Sequence, residues 1–247
     1  MAVSGADATG AAGAGPAGAG ADGPLGVEMR VDTSFTRIYR FLRVLVLALN
    51  RILFRTTVDG ADQVPATGPV IIAPVHRSFI DFFVASEVTR RKLHYMAKDS
   101  LWKNGMLARI LPAVGAFPVH RQSADREALR RAQQVLDAGE VLILFPEGER
   151  RTGPVIEDLH EGVAFLAART GATVVPVGIG GSASVMPKGR KLPRPRHIHL
   201  IVGKPLEPPA RTGGGRVSRS TIHRLTEELT VSLQDLYDRS VEATGRY

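Results

Sequence analysis

The stretch Pro69–Phe83, PVIIAPVHRSFIDFF, joins a short apolar run to two polar residues five positions apart, His76 and Asp81. Val70–Ala73 is rich in β-branched residues and flanked by proline, the pattern of a buried strand. Ile80–Arg91 then reads as a helix, so the stretch is a strand–turn–helix unit with His76 and Asp81 at the junction. In open sheets of parallel strands, ligands bind beyond the carboxyl ends of the strands, where this junction falls. A neutral imidazole there can take a proton from a hydroxyl, and a carboxylate on its other ring nitrogen sets the tautomer. The spacing alone also suits a plainer arrangement, with His76 capping a turn and Asp81 capping the helix.

The same alternation continues along the chain. Short Val- and Ile-rich runs predict strands at His94–Ala97, Ala116–Val119, Val141–Phe145, Thr173–Ile179 and Ile198–Val202. Between and after them, Ser100–Leu111, Asp125–Ala138, Glu161–Thr170 and Thr221–Ser240 read as helices, with Gly139 and Gly171 placed as C′ glycines. This order predicts an α/β domain, a mostly parallel sheet flanked by helices, over residues 58–247. Pro176 inside a strand points to an edge or a bulge.

Residues 1–29 are dominated by Ala and Gly and contain no aromatic or apolar period, which reads as a disordered tail. No basic residue precedes Arg30 and no hydrophobic core segment is present, so the tail is read as neither a signal peptide nor a transit peptide. Residues 30–57 hold a different pattern. In Ser34–Arg55, SFTRIYRFLRVLVLALNRILFR, Arg37, Arg40, Arg51 and Arg55 cluster on one side of a helix, with Arg43 and Asn50 widening the polar stripe. The uncharged run is far shorter than the roughly 20 residues a spanning helix needs. The pattern predicts either an amphipathic helix lying in a membrane interface or a helix docked on the protein's own core.

The chain has 247 residues, 44% of them hydrophobic, no cysteine and a formal net charge of +8. Disulfides, thiolate catalysis and cysteine-based zinc sites are excluded, and the charge favours anionic partners such as phospholipid headgroups or phosphorylated substrates. Three further stretches carry polar residues at strand ends. LILFPEGERRTG, residues 142–153, delivers Glu147, Gly148, Glu149, Arg150 and Arg151. Glycine there permits close approach of a ligand to the backbone, and arginine can fork onto phosphate oxygens. GAFPVHR, residues 115–121, delivers Arg121, and TVVPVGI, residues 173–179, contains Pro176. The basic loop KGRKLPRPR, residues 188–196, is either a phosphate contact or a solvated loop.

Taken in order, HRSFID, FPVHR, FPEGER and VVPVGI resemble the motifs of the glycerolipid acyltransferases, the lysophosphatidate and glycerol-3-phosphate acyltransferase superfamily, over about residues 58–206. The resemblance implies a glycerol-3-phosphate acyltransferase-like fold and an O-acyltransferase in phospholipid biosynthesis. His76 would be the base and Asp81 its orienter. Arg77, Ser78, Arg121, Glu147, Gly148, Arg150 and Pro176 would contact substrate. The donor would be acyl-CoA or acyl-carrier protein, with no metal or other cofactor. The acceptor would be 1-acyl-glycerol-3-phosphate, giving phosphatidic acid, at the cytoplasmic face of the plasma membrane, with the enzyme peripheral or monotopic on an anionic surface. Val75, where the lysophosphatidate branch usually has Asn, and Glu149, where it usually has Thr or Ser, depart from that branch. HRSxxD and ERRTG look like the glycerol-3-phosphate branch, whereas FPEG and FPVHR look more like the lysophosphatidate branch, which leaves glycerol-3-phosphate or another lysophospholipid or glycolipid as the alternative acceptor.

Other classes fit less well. Gly180-Gly181-Ser182-Ala183-Ser184 lacks the closing glycine of a nucleophile elbow. Gly178, Gly180 and Ala183 match GxGxxA, yet the Pro-broken basic run that follows is no dinucleotide-binding helix. His197 and His199 form a close pair without an evident third metal ligand. A non-catalytic basic membrane-binding module is the remaining alternative, and no nucleic-acid-binding motif is present.

Overall fold

The computed structural model describes residues 37–119, 126–187, 190, 192–208 and 218–245. The Ala/Gly-rich stretch 1–29 and Arg121 lie outside the described residues, as do Lys188, Gly189 and Lys191 of the basic loop.

Seven strands form one sheet in the order β1-β7-β6-β2-β5-β3-β4. They are β1 (Thr57–Asp59), β2 (Val70–Pro74), β3 (Leu93–Lys98), β4 (Ala116–Val119), β5 (Val141–Ile143), β6 (Thr173–Gly180) and β7 (His199–Val202). Every neighbouring pair is parallel except β6 and β7. Strand β2 sits at the centre with all five residues buried, which is why VIIAP reads as a continuous apolar run rather than an alternation. Its neighbours β5 and β6 run parallel to it, so the FPEGER loop and the turn after β6 leave the sheet at the same end as His76.

The helices are α1 (Arg37–Phe54), α2 (Asp81–Val84), α3 (Gly105–Ala113), α4 (Arg126–Asp137), α5 (Gly162–Thr170), α6 (Ser182–Val185) and α7 (Arg219–Thr244). Helix α7 lies along β6 and β7. A Cβ at Gly178 would sit 2.3 Å from the Leu236 carbonyl oxygen, and one at Gly180 would sit 2.0 Å from that of Ser240. The two glycines of the GxGxxA match therefore admit the backbone of α7, not a pyrophosphate. Gly178→Ala is expected to force helix and strand apart and lower stability by about 1–3 kcal/mol, read as a fall in Tm.

Two sequence expectations change, and a third, the edge or bulge expected at Pro176, is narrowed to the bulge. The helix expected over Ile80–Arg91 is only α2 followed by a 3₁₀ turn, Ala85–Val88. The Phe83 carbonyl accepts from Ser86 Oγ at 2.6 Å and from Asn50 Nδ2 at 3.1 Å, so side-chain donors replace the α-helical ladder. Ser100–Leu111 is likewise a 3₁₀ turn, Asp99–Lys103, and then α3, broken at Asn104. Asn104 Oδ1 accepts the N–H groups of Met106 and Leu107, an N-cap that restarts the chain as a helix. Pro176 is not on an edge: β6 lies between β7 and β2. It stands beside a one-residue slip, because Val177 pairs with Val202 while Val174 pairs with Leu206. Its carbonyl accepts from Gly203 N at 2.9 Å, so its missing N–H faces the slip, where no ladder bond is lost.

Helix α1 is docked and exposed at once. Tyr39, Asn50 and Phe54 are buried, and Tyr39 Oη accepts the Leu93 N–H at 3.1 Å. Arg43 Nη2 donates to the carbonyls of Ser86, at 3.0 Å, and Thr89. Arg43 and Asn50 thus leave the expected outward polar stripe and hold the end of the segment that begins at Asp81. The opposite face is bare: Ile38, Phe41, Val44, Leu45, Leu49, Ile52 and Leu53 are exposed, Ile52 by 75%. No described helix is long and apolar enough to cross a membrane.

Candidate active site

The turn after β2 places His76 and Asp81 in contact. His76 Nδ1 lies 3.0 Å from Asp81 Oδ2, and both side chains are almost wholly buried. The same oxygen accepts the backbone N–H groups of Arg77 at 2.7 Å and Ser78 at 2.6 Å. With Asp81 fixed in this way, Nδ1 carries the proton and Nε2 is left as the acceptor. Nε2 has no hydrogen-bond partner among the described residues, and the ring lines a cavity. Phe145 stacks on the imidazole at 4.1 Å between centroids and Phe82 meets it edge-on at 5.5 Å, so packing as well as hydrogen bonding sets the ring orientation. The pair can work as a base with an orienting carboxylate.

The FPEGER loop is stitched to this turn. His76 N donates to Glu147 Oε2 at 2.6 Å, and Arg151 N donates to the His76 carbonyl at 3.0 Å. Glu147 is fully buried, and its other oxygen receives Arg77 Nη1. Arg77 also donates from Nε to Gly153 O and from Nη2 to Val155 O, each at 3.1 Å, and its guanidinium lies 5.0 Å from the Tyr237 ring centroid. Burial pushes the Tyr237 hydroxyl pKa upward, so the ring under this cation stays neutral. Ser78 Oγ donates to Met186 O at 3.4 Å. Gly148 adopts φ +69°, and a Cβ there would meet the His160 ring at 2.5 Å, so both conformation and space require glycine.

A family model described as Acyltransferase matches residues 55–180, the segment that carries both loops. The chain belongs to this acyltransferase family. Over 183 residues it is 26% identical to a 1-acyl-sn-glycerol-3-phosphate acyltransferase of Bacillus subtilis, covering 74% of this chain and 88% of that protein. It is 22% identical over 157 residues to a chloroplastic 1-acyl-sn-glycerol-3-phosphate acyltransferase, LPAT1, of Arabidopsis thaliana, covering 62% of this chain and 44% of that one. The crystal structure of the 1-acyl-sn-glycerophosphate acyltransferase PlsC from Thermotoga maritima shares the fold, with TM-score 0.64, 23% identity and 85% and 80% of the two chains covered.

The acyltransferase cavity measures about 370 Å³, within the usual range for a small-molecule site. Its walls come from α1 (Leu42, Val46), from Phe79, Phe82 and Phe83, from β3 (Tyr95, Ala97) and from Leu101, Leu111 and Val114. Burial raises the Tyr95 hydroxyl pKa, so that wall is uncharged. Lys98 and Arg150 also line it and pair with no carboxylate among the described residues. Arg150 was legible in the sequence as part of FPEGER. Lys98 was not: its signal was its place at the carboxyl end of a predicted strand, the same position that marked His76.

Of the nine residues expected to react with or contact substrate, the structure brings His76 and Arg150 to the cavity. Asp81 stands behind His76. Arg77, Ser78 and Glu147 turn inward and spend their polar groups on the protein. Gly148 shapes the turn. Pro176 is buried with its ring near the closest approach of Gly203 and Leu236, on the α7 side of β6, and does not line the cavity. His197 and His199 are joined through Thr57 Oγ1, at 2.9 and 2.6 Å, away from the cavity lining.

Proposed function

We propose that the protein transfers a fatty acyl group from acyl-CoA or acyl-carrier protein to the free hydroxyl of 1-acyl-glycerol-3-phosphate, forming phosphatidic acid. The observation that carries this reading is the His76–Asp81 pair at 3.0 Å with Nε2 open at an apolar cavity. His76 Nε2 takes the hydroxyl proton as the oxygen attacks the thioester carbonyl. A C–O bond forms and the carbonyl oxygen becomes an oxyanion, stabilised by donors or cations at the site. Collapse breaks the C–S bond, and the departing thiolate recovers the proton from the imidazolium. No covalent acyl-enzyme is needed. Asp81 stabilises the imidazolium throughout.

The apolar walls suit the acyl chain. Lys98 and Arg150 suit the acceptor phosphate, with Arg121 a further candidate from its motif. The names of the relatives support the lysophosphatidate acceptor. So does the inward placement of Arg77 and Ser78, because the HRS triplet that leans towards glycerol-3-phosphate spends its side chains on the protein. The bare face of α1 lies in the interface of an anionic bilayer, peripheral or monotopic and on the cytoplasmic side, where the thioester donors are.

An acceptor panel tests the reading. With palmitoyl-CoA as donor, transfer to lysophosphatidate should exceed transfer to glycerol-3-phosphate or to lysophosphatidylcholine. Lys98→Ala should raise KM for lysophosphatidate about tenfold or more, the scale of one charge-assisted phosphate contact of about 1.5–3 kcal/mol. Preferred transfer to a non-phosphorylated acceptor would overturn the substrate assignment and leave the reaction class standing.

A further inference from the structure

Helix α3 has a composition that its surroundings do not satisfy. Its sequence, GMLARILPA, contains a single charged residue, Arg109, yet none of its nine residues is buried. Met106 is 66% exposed and Ile110 37%. A helix this apolar on a soluble surface needs something to cover it. The charge pattern indicates what. From Ser100 to Ala124 the chain has no carboxylate, whereas Lys103 and Arg109 lie in and beside the helix. The chain's single tryptophan, Trp102, is half-buried in the 3₁₀ turn just before α3, and tryptophan is the residue type that settles at a bilayer's polar boundary.

The position of α3 points the same way. Leu42 and Val46 of α1 line the cavity on one side, and Leu101, Leu111 and Val114, from the turn before α3 to the residue after it, line it as well. A second wall of the cavity is thus built by another segment that carries exposed apolar residues, Met106 and Ile110.

We propose that the segment Asp99–Ala113 is a second bilayer-contact element, so that α1 and α3 meet an anionic bilayer together and the cavity between them is reached from the lipid side. The inference rests on α1 meeting the bilayer. It adds a route: an acyl chain or a lysolipid tail passes into the cavity without first crossing water. It also sets the orientation of the domain, since two elements in contact with the surface leave it less free to swing than a single helix does.

The native tryptophan supplies the test. The full chain is bound to vesicles of phosphatidylcholine and phosphatidylglycerol containing lipid brominated near the headgroup end of its acyl chains. Binding is measured independently by co-sedimentation. Trp102 emission should be quenched on binding. Because Trp102 neighbours the cavity-lining Leu101, the stricter probe is Trp102→Phe/Met106→Trp, whose indole sits on the exposed face away from the cavity lining, and it should be quenched as well. Met106→Asp/Ile110→Asp should weaken vesicle affinity about tenfold, equivalent to about 1.4 kcal/mol, with unchanged Tm. Chain that sediments with vesicles while Met106→Trp stays unquenched would overturn the proposal and leave α1 as the contact. Loss of binding in Phe41→Asp/Ile52→Asp with no effect in the α3 variant would do the same. Failure of the unaltered chain to bind would remove the α1 reading and this one together. Concentration-dependent dimers that bury α3, seen by light scattering, would replace the bilayer with a second copy as its cover.

Discussion

His76→Ala is expected to cut kcat for acyl transfer by about 10²–10⁴-fold, the usual contribution of a positioned general base. Tm should change far less than activity, because Phe145 and Phe82 can close towards the vacated ring space. The substitution removes the Nδ1 hydrogen bond to Asp81, whose Oδ2 keeps the backbone donors of Arg77 and Ser78. His76→Gln serves as a control, since a glutamine can hydrogen-bond Asp81 but cannot accept the substrate proton. Both variants should fold, bind vesicles as the unaltered chain does, and fail in turnover. Full turnover by His76→Ala would remove the mechanism proposed above and favour a protein that binds lipid without transforming it.

The second large effect lies at Glu147, and it is one of stability before it is one of activity. Glu147→Gln leaves the Arg77 guanidinium buried without its carboxylate. Breaking a buried ion pair by removing one partner typically costs about 3–5 kcal/mol. Denaturant unfolding should register that loss, and kcat should fall with it, because the same side chain accepts the His76 N–H. A companion, Arg77→Met/Glu147→Gln, should recover part of the stability by removing the uncompensated charge. If Glu147 instead contacts the acceptor directly, Glu147→Gln would change KM and leave the unfolding midpoint where it was. The two outcomes separate a positioning residue from a binding one.

The two loops show where sequence reading stops. HRSFID and FPEGER were legible as strand-end motifs, and so was their likeness to the acyltransferase family. Their order along the chain placed both at one end of a parallel sheet, because β2 and β5 carry unmistakable buried-strand runs. What each polar residue faces was not legible. A motif read as a string makes His76, Arg77, Ser78 and Glu147 equivalent neighbours of substrate. In the fold, the turn after β2 sends His76 to the cavity and Arg77 the other way, towards Glu147 and Tyr237. Alternate directions along a tight turn depend on backbone torsions that composition does not encode.

Helix α1 gives the same lesson on a larger scale. Periodicity located the helix and its arginines, and it allowed two environments for it, membrane interface or protein core. The structure docks one face of the helix on the protein and leaves the other face bare. Arg43 and Asn50 belong to the docked side because the Ser86, Thr89 and Phe83 carbonyls happen to end a broken helix there, and unpaired carbonyls are strong acceptors.

The sequence by itself determined the α/β class, the central strands, the placing of His76 and Asp81 five residues apart at a strand end, and the family, since all of these rest on local pattern and on the order of motifs. Only the tertiary structure decided which polar residues are spent on the protein and which line the cavity, that Lys98 is among the latter, and that α1 and α3 build walls of one cavity. Those outcomes turn on contacts between segments far apart in the chain, where the partner that satisfies a buried charge or covers an apolar face is chosen by packing.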